Sequence, residues 1–163
     1  MDLAPHGLDL VSYLLGEPIV EVSCLSQRRV FDYSVEDGAA LVGRTAGGVL
    51  VIQHVSYNTP DAYPRRTLEI IGTEAMVIAT NTMGQTPGGK LEIVNPKDGK
   101  RSTLEIPAGE DRSPFLAQVE AYAASLLGGE PFPFSPEHDL HTMRLMETAM
   151  QSSGESVPKE TVR

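Results

Sequence analysis

The chain has 163 residues and a single cysteine, Cys24, so no internal disulfide can form. Hydrophobic residues make up 40% and charged residues 21%, enough for one globular domain with a real core. Thirteen basic against 22 acidic residues leave a net charge of −9, which argues against nucleic acid or an anionic membrane surface as a partner; with no apolar run of 18 residues and no signal-peptide pattern, the expected location is the cytoplasm.

Residues 1–16 read as one short helix. Leu10, Val11, Leu14 and Leu15 form an apolar stripe at helical spacing, Pro5 is tolerable in a first turn, and Gly16 followed by Glu17-Pro18 is a stop signal. Asp2 and His6 are four residues apart, so on a helix they share a face. A carboxylate that holds a histidine in one tautomer is a common acid–base arrangement; an N-cap aspartate beside a surface histidine has the same spacing.

The next segments are strand-like. Ile19 to Phe31 alternates, Asp32 to Gly38 is an acidic turn, and Ala39 to Arg44 and Val49 to Tyr57 flank Ala46-Gly47-Gly48 as a hairpin. After a loop with two prolines, Arg65 to Ile71 and Ala75 to Thr82 form a second pair around Gly72-Thr73-Glu74. Lys90 to Asn95 and Lys100 to Ile106 form a third, joined through Pro96-Lys97-Asp98-Gly99. Pro107 to Arg112 is a polar linker. Ser113-Pro114 opens a helix with Phe115, Leu116, Val119, Tyr122, Leu126 and Leu127 on one face, ended by Gly128-Gly129. Ser135-Pro136 opens the last helix, with Leu140, Met143, Met146, Ala149 and Met150 pointing inward. Val157 to Arg163 is a short, polar tail with some strand character.

One helix, six or seven strands and two helices predict an α+β fold: a single domain over residues 1–163, with an open, largely antiparallel (mixed) sheet of about six strands and three helices on one face. Both alternating sets are apolar in Val49-Leu50-Val51-Ile52 and Met76-Val77-Ile78-Ala79, so the other face is expected to be covered by a second copy of the chain.

Several residue types invite a chemical reading. His54 falls mid-strand, either as a half-buried strand residue or within reach of a substrate above the sheet. His138, Asp139 and His141 have the look of metal ligands but lack a further one, and no metal is expected. Arg65 and Arg66 read as a solvated strand entrance, with an anion contact as the alternative. Cys24 reads as a small buried residue.

The pattern Asp2, His6, Asp9, Leu14 and Gly16 resembles the start of the second domain of the glucose–fructose oxidoreductase / inositol dehydrogenase family (Gfo/Idh/MocA). Glu17-Pro18-Ile19-Val20-Glu21-Val22, Leu68-Glu69-Ile70-Ile71-Gly72-Thr73-Glu74-Ala75, Ser113-Pro114-Phe115 and Phe134-Ser135-Pro136-Glu137 extend the resemblance over nearly the whole chain. It implies hydride transfer between nicotinamide (NAD or NADP) and a carbon bearing a hydroxyl, with His6 as the base and Asp2 orienting it. Asp9 is expected to be structural. The family's Gly-x-Gly-x-x-Gly fingerprint and Glu-Lys-Pro segment do not occur in these residues, so no cofactor is expected in this chain alone.

Two functions follow as expectations. The first is the substrate-binding and oligomerisation domain of an NAD(P)-dependent sugar or polyol oxidoreductase, paired with a dinucleotide-binding domain in cis or trans. The second is a free-standing, non-enzymatic dimeric module that binds a small molecule or acts as a scaffold.

Overall fold

The computed structural model describes residues 2–63, 66–105 and 112–155. In chain order the elements are α1 (Ala4–Leu15), β1 (Ile19–Gln27), β2 (Gly38–Thr45), β3 (Leu50–Ser56), β4 (Thr67–Ile71), β5 (Met76–Thr80), β6 (Lys90–Val94), β7 (Arg101–Leu104), α2 (Pro114–Leu126) and α3 (Pro136–Glu155). Two compact units result, one from Met1–Thr59 with Phe134–Arg163 and the other from Pro60–Pro133.

The α+β class and the open antiparallel strands are as expected. The strands differ in their grouping. They form a three-stranded sheet in the order β1-β2-β3 and a four-stranded sheet in the order β4-β5-β6-β7, in place of one sheet of about six. All five strand pairings are antiparallel between chain neighbours; tight turns join β2 to β3, β4 to β5 and β6 to β7, and longer loops join β1 to β2 and β5 to β6.

In the first unit, α1 and α3 pack on one face of the three-stranded sheet. The core joins Ala4 and Leu8 of α1, Val22 and Cys24 of β1, Ala39 and Leu41 of β2, Val51 of β3, and Leu145, Met146 and Ala149 of α3. Gly16 has φ 67° and its N–H reaches Ser12 O at 3.0 Å, so the helix stop is the left-handed glycine the sequence predicts. α3 starts at its serine: the His138 N–H donates to Ser135 Oγ at 3.2 Å. Of the five residues expected on its inward face, only Met146 and Ala149 are buried. Leu145, Met146 and Ala149 are buried, while Leu140, Met143 and Met150 are exposed. At its far end Ser152 Oγ accepts the Cys24 N–H at 2.9 Å, which fixes which side of the helix meets β1.

Among the described residues of this unit, no helix packs on the other face of the sheet. Its side chains are set by register: Ser23, Val42 and Ile52 lie in one row, and Leu25, Ala40 and His54 in the next. Ile52 is 81% exposed, Leu50 70% and Leu25 58%.

The expected strand to Phe31 stops at Gln27, and the cause is Asp37. This carboxylate is 1% exposed. Its Oδ2 accepts the N–H groups of Arg29 (2.8 Å), Val30 (2.6 Å) and Phe31 (3.3 Å), and its Oδ1 accepts Asn58 Nδ2 at 3.1 Å. Amides turned toward one carboxylate cannot also form a β-ladder. These bonds, the Val30 amide foremost, hold the Asp37 carboxyl below the usual aspartate range.

In the second unit, β4 and β5 turn at Gly72, whose N–H reaches Ala75 O at 3.0 Å, and β6 and β7 turn at Gly99 with φ 68°. α2 begins at Pro114 and stops before Gly128 (φ 85°), as expected, but none of its residues is buried. Phe115, Leu116, Val119, Tyr122 and Leu126 are all more than half exposed. The tail from Val157 and the strand end at Ile106 lie outside the described residues.

Two outcomes are expected. Leu8→Ala removes a side chain that is 1% exposed, which should destabilise the first unit by about 2–5 kcal/mol in urea denaturation. Asp37 has a depressed pKa in the fold, so its stabilisation is present above the ordinary aspartate value of about 3.9 and is lost as pH falls through the lower folded value. Acid titrations of stability should show this loss in the wild type and a flatter profile in Asp37→Asn, which should also be less stable at neutral pH.

Candidate functional site

Asp2 lies outside the helix. The helix starts at Ala4 with Leu3 at the N-cap, so Asp2 and His6 are not stacked on one helical face as the spacing suggests. Asp2 Oδ2 instead accepts the Tyr57 hydroxyl at 2.7 Å. Tyr57 follows the last residue of β3, and its N–H donates to Asp37 O at 3.0 Å. The bond to Asp2 raises the pKa of the Tyr57 phenol, with smaller contributions from burial and from the nearby Asp2 and Tyr33. At neutral pH the phenol is therefore a fixed donor. His6 is on α1, four residues on from Asp2, and is exposed.

One end of the three-stranded sheet gathers these groups. β1 ends there, β2 begins there and β3 ends there, because antiparallel order places Gln27 opposite Gly38 and Gly38 opposite Ser56. Leu3, Gly38, Val55 and Tyr57 line a small concavity at this end. Asn58, Ser56 and Thr59 brace it: Ser56 Oγ bonds Asn58 Oδ1, and Thr59 Oγ1 donates to Ser56 Oγ at 3.0 Å.

His54 is placed elsewhere. Along β3 the inward residues are Val51, Gln53 and Val55, and Gln53 Nε2 donates to Ala4 O of α1 at 3.0 Å. His54 projects from the opposite face of the strand and is exposed, so the fold does not bring it to Asp2 and His6. Gly7 lets α1 lie close to that strand: a Cβ there would stand 2.3 Å from Gln53 Nε2.

The histidines of α3 act as ties between elements. His138 Nε2 bonds Asp9 Oδ1 of α1 at 2.5 Å, and His141 Nε2 bonds Ile19 O of β1 at 2.8 Å. Asp9 thus has the structural part expected of it. Asp139 sits with Glu137 in the first turn of α3, where a negative charge suits the helix dipole. Among the described residues no group of three or more His, Cys, Asp or Glu side chains is close enough to hold a metal ion. Arg66 is exposed with φ 57°, and Arg65 lies outside the described residues. Cys24 is buried, and burial pushes its thiol pKa up, away from the reactive thiolate.

Sequence reasoning did not single out Asp37 or Tyr57. Asp37 stood among the acidic residues of a turn, and Tyr57 closed an apolar strand. The one signal available was an aspartate immediately before a strand, where a side chain can cap loop amides. Among the described residues no helix is long and apolar enough to cross a membrane.

Comparison with known proteins gives a consistent picture. Residues 1–78 match the GFO/IDH/MocA C-terminal domain. Inositol 2-dehydrogenase 2 of Paenarthrobacter aurescens (strain TC1) is 24% identical over 154 residues, which span 92% of this chain and 44% of that enzyme. The aldose-aldose oxidoreductase of Caulobacter crescentus, solved with glycerol, superposes with a TM-score of 0.78 at 19% identity, over 93% of this chain and 44% of that one. An oxidoreductase of Agrobacterium radiobacter, solved with NAD+, L-tartaric acid and magnesium, gives 0.70 at 22% identity, over 93% and 46%. The structural likenesses establish a shared fold, and the chain spans less than half the length of these relatives. The match to the GFO/IDH/MocA C-terminal domain over residues 1–78 takes in α1, the three-stranded sheet and the Asp2–Tyr57 pair.

Proposed function

We propose that this chain is the substrate-binding and oligomerisation domain of a cytoplasmic NAD(P)-dependent oxidoreductase that acts on a hydroxyl of a sugar or polyol. The observation that carries the reading is the Asp2–Tyr57 hydrogen bond at the start of α1, with an exposed imidazole four residues on. Oxidising an alcohol requires a base for the hydroxyl proton as the hydride leaves. His6 takes that proton, and Asp2, held by Tyr57, accepts a hydrogen bond from the substrate.

The described residues do not fit a nicotinamide dinucleotide. Gly47 and Gly48 form the turn between β2 and β3, and Gly88 and Gly89 lie in the loop before β6. Neither pair opens a helix, where amide N–H groups would meet a pyrophosphate. In this reading the dinucleotide belongs to a separate domain in cis or trans, and the chain alone turns over no alcohol.

Oligomerisation rests on the uncovered sheet face. Leu25, Val42, Leu50 and Ile52 are each more than half exposed there, in adjacent rows of one register. A second copy of the chain meets this face sheet to sheet, burying roughly the 800 Å² per partner of a stable interface. His54 shares the face, so a substrate role for it belongs to a site that includes the partner copy.

One observation favours a second reading, a non-enzymatic dimeric binding or scaffold module: Asp2 is engaged by Tyr57 and not by His6. Turnover separates the two. With a dinucleotide-binding domain from the inositol dehydrogenase relative supplied by fusion, polyol oxidation should appear, and His6→Ala should lower kcat by about 10²–10⁴. Persistent inactivity of the wild-type fusion, with polyol binding intact, would favour the module. Sedimentation at micromolar concentration should give a dimer for the wild type and a monomer for Ile52→Asp; a wild-type monomer would overturn the oligomerisation role.

A further inference from the structure

Two residues break local rules at one contact between β3 and α1. Along β3 the inward positions are Val51, Gln53 and Val55, and the residues across the sheet from Gln53 are Leu41 and then Cys24, both buried. An amide stands where the alternation predicts an aliphatic side chain. Its Nε2 donates to Ala4 O at 3.0 Å, but its Oε1 is buried with no hydrogen-bond partner among the described residues. A buried acceptor left unpaired destabilises a fold, and an apolar side chain of the same length avoids that loss.

Gly7 breaks a rule from the helix side. It lies inside α1, where glycine is a poor helix former, and its φ is not positive, so the backbone does not require it. The missing Cβ is what the contact uses. A Cβ at position 7 would stand 2.3 Å from Gln53 Nε2 and 2.6 Å from Gln53 Cδ. Gln53 cannot swing clear without giving up its bond to Ala4 O. Glycine and glutamine are thus a matched pair, each unfavourable alone, and together they seat the first turn of α1 closely on β3.

That turn carries His6. Ala4 and Gly7 bracket it in sequence and meet the sheet side, while His6 projects from the same turn and is exposed. Tyr57, just past the end of β3, holds Asp2. The β3 segment therefore grips the chain on both sides of His6. Apolar contact alone leaves a helix start free to slide, whereas a hydrogen bond to one backbone carbonyl is directional.

We propose that Gln53 is a positioning residue for His6: through Ala4 O, and with Gly7 leaving room for it, Gln53 fixes the first turn of α1 and so the direction of the imidazole. The proposal rests on the reading of His6 as the base and adds what holds that base in place relative to Asp2.

The test uses Gln53→Met, which keeps the length and removes both amide groups, and Gly7→Ala, which pushes Gln53 from the helix side. In the full chain, NMR relaxation should show lower backbone order at His6 and Gly7 in both variants. Order at Leu41 and Val51 should be unchanged, and Gln53→Met should melt no lower than the wild type. In the fusion to a dinucleotide-binding domain, with myo-inositol and sorbitol as probes, both variants should lower kcat by about tenfold or more with KM little changed. If order at His6 and kcat match the wild type, or if order falls equally at Leu41 and Val51 with a lower melting point, Gln53 is an ordinary packing residue; the positioning role is overturned and the proposed function stands. If the wild-type fusion turns over no polyol, the base reading of His6 and the positioning role fall together.

Discussion

A single buried carboxylate organises the end of the sheet on which the functional reading depends. Removing Asp37 from water is tolerable because four donors replace its hydration, three of them backbone amides of one loop. Its own backbone carbonyl then holds Tyr57. The charge thus serves as a folding template. It ends β1, curls the following loop, starts β2 and steadies the end of β3. A loop with several apolar side chains would otherwise have little to hold it against the entropy of the chain.

The second constraint is the seating of α3 on β1 and α1. Apolar packing through Leu145, Met146 and Ala149 supplies the adhesion but leaves rotation and translation poorly specified. Directional bonds supply that specification. His138 meets Asp9, His141 meets Ile19 O, and Ser152 meets the Cys24 N–H, so the helix is registered near both ends. In a segment with two histidines close together, this explains why the residues that resemble ligands are used as structural ties. Asp9, the third member of the N-terminal pattern, thereby works at a distance from Asp2.

Much of the architecture could be read along the chain because its causes are local. Gly16, Gly48 and Gly99 mark stops and turns by their tolerance of positive φ, and Ser135-Pro136 marks a helix start. Alternation located the strands. The inward face of α3 was harder. Met146 and Ala149 were legible as inward, but Leu140, Met143 and Met150 fit a helical stripe with them as well as Leu145 does, and hydrophobicity alone does not choose between overlapping stripes.

The amino-acid order determined the element types, the turns and the segregation of helices from strands, all of which depend on neighbours a few residues apart. It also carried the candidate groups Asp2 and His6. Folding in three dimensions settled their partners. Asp2 pairs with a tyrosine 55 residues on, Asp9 with a histidine 129 residues on, and His54 faces away from α1. Those outcomes follow from which strand ends share an edge of the sheet and from the period-two alternation of β3. The division of seven strands into two sheets has the same origin: each strand pairs with its chain neighbour, and ladder continuity is a long-range hydrogen-bonding choice that no local pattern encodes.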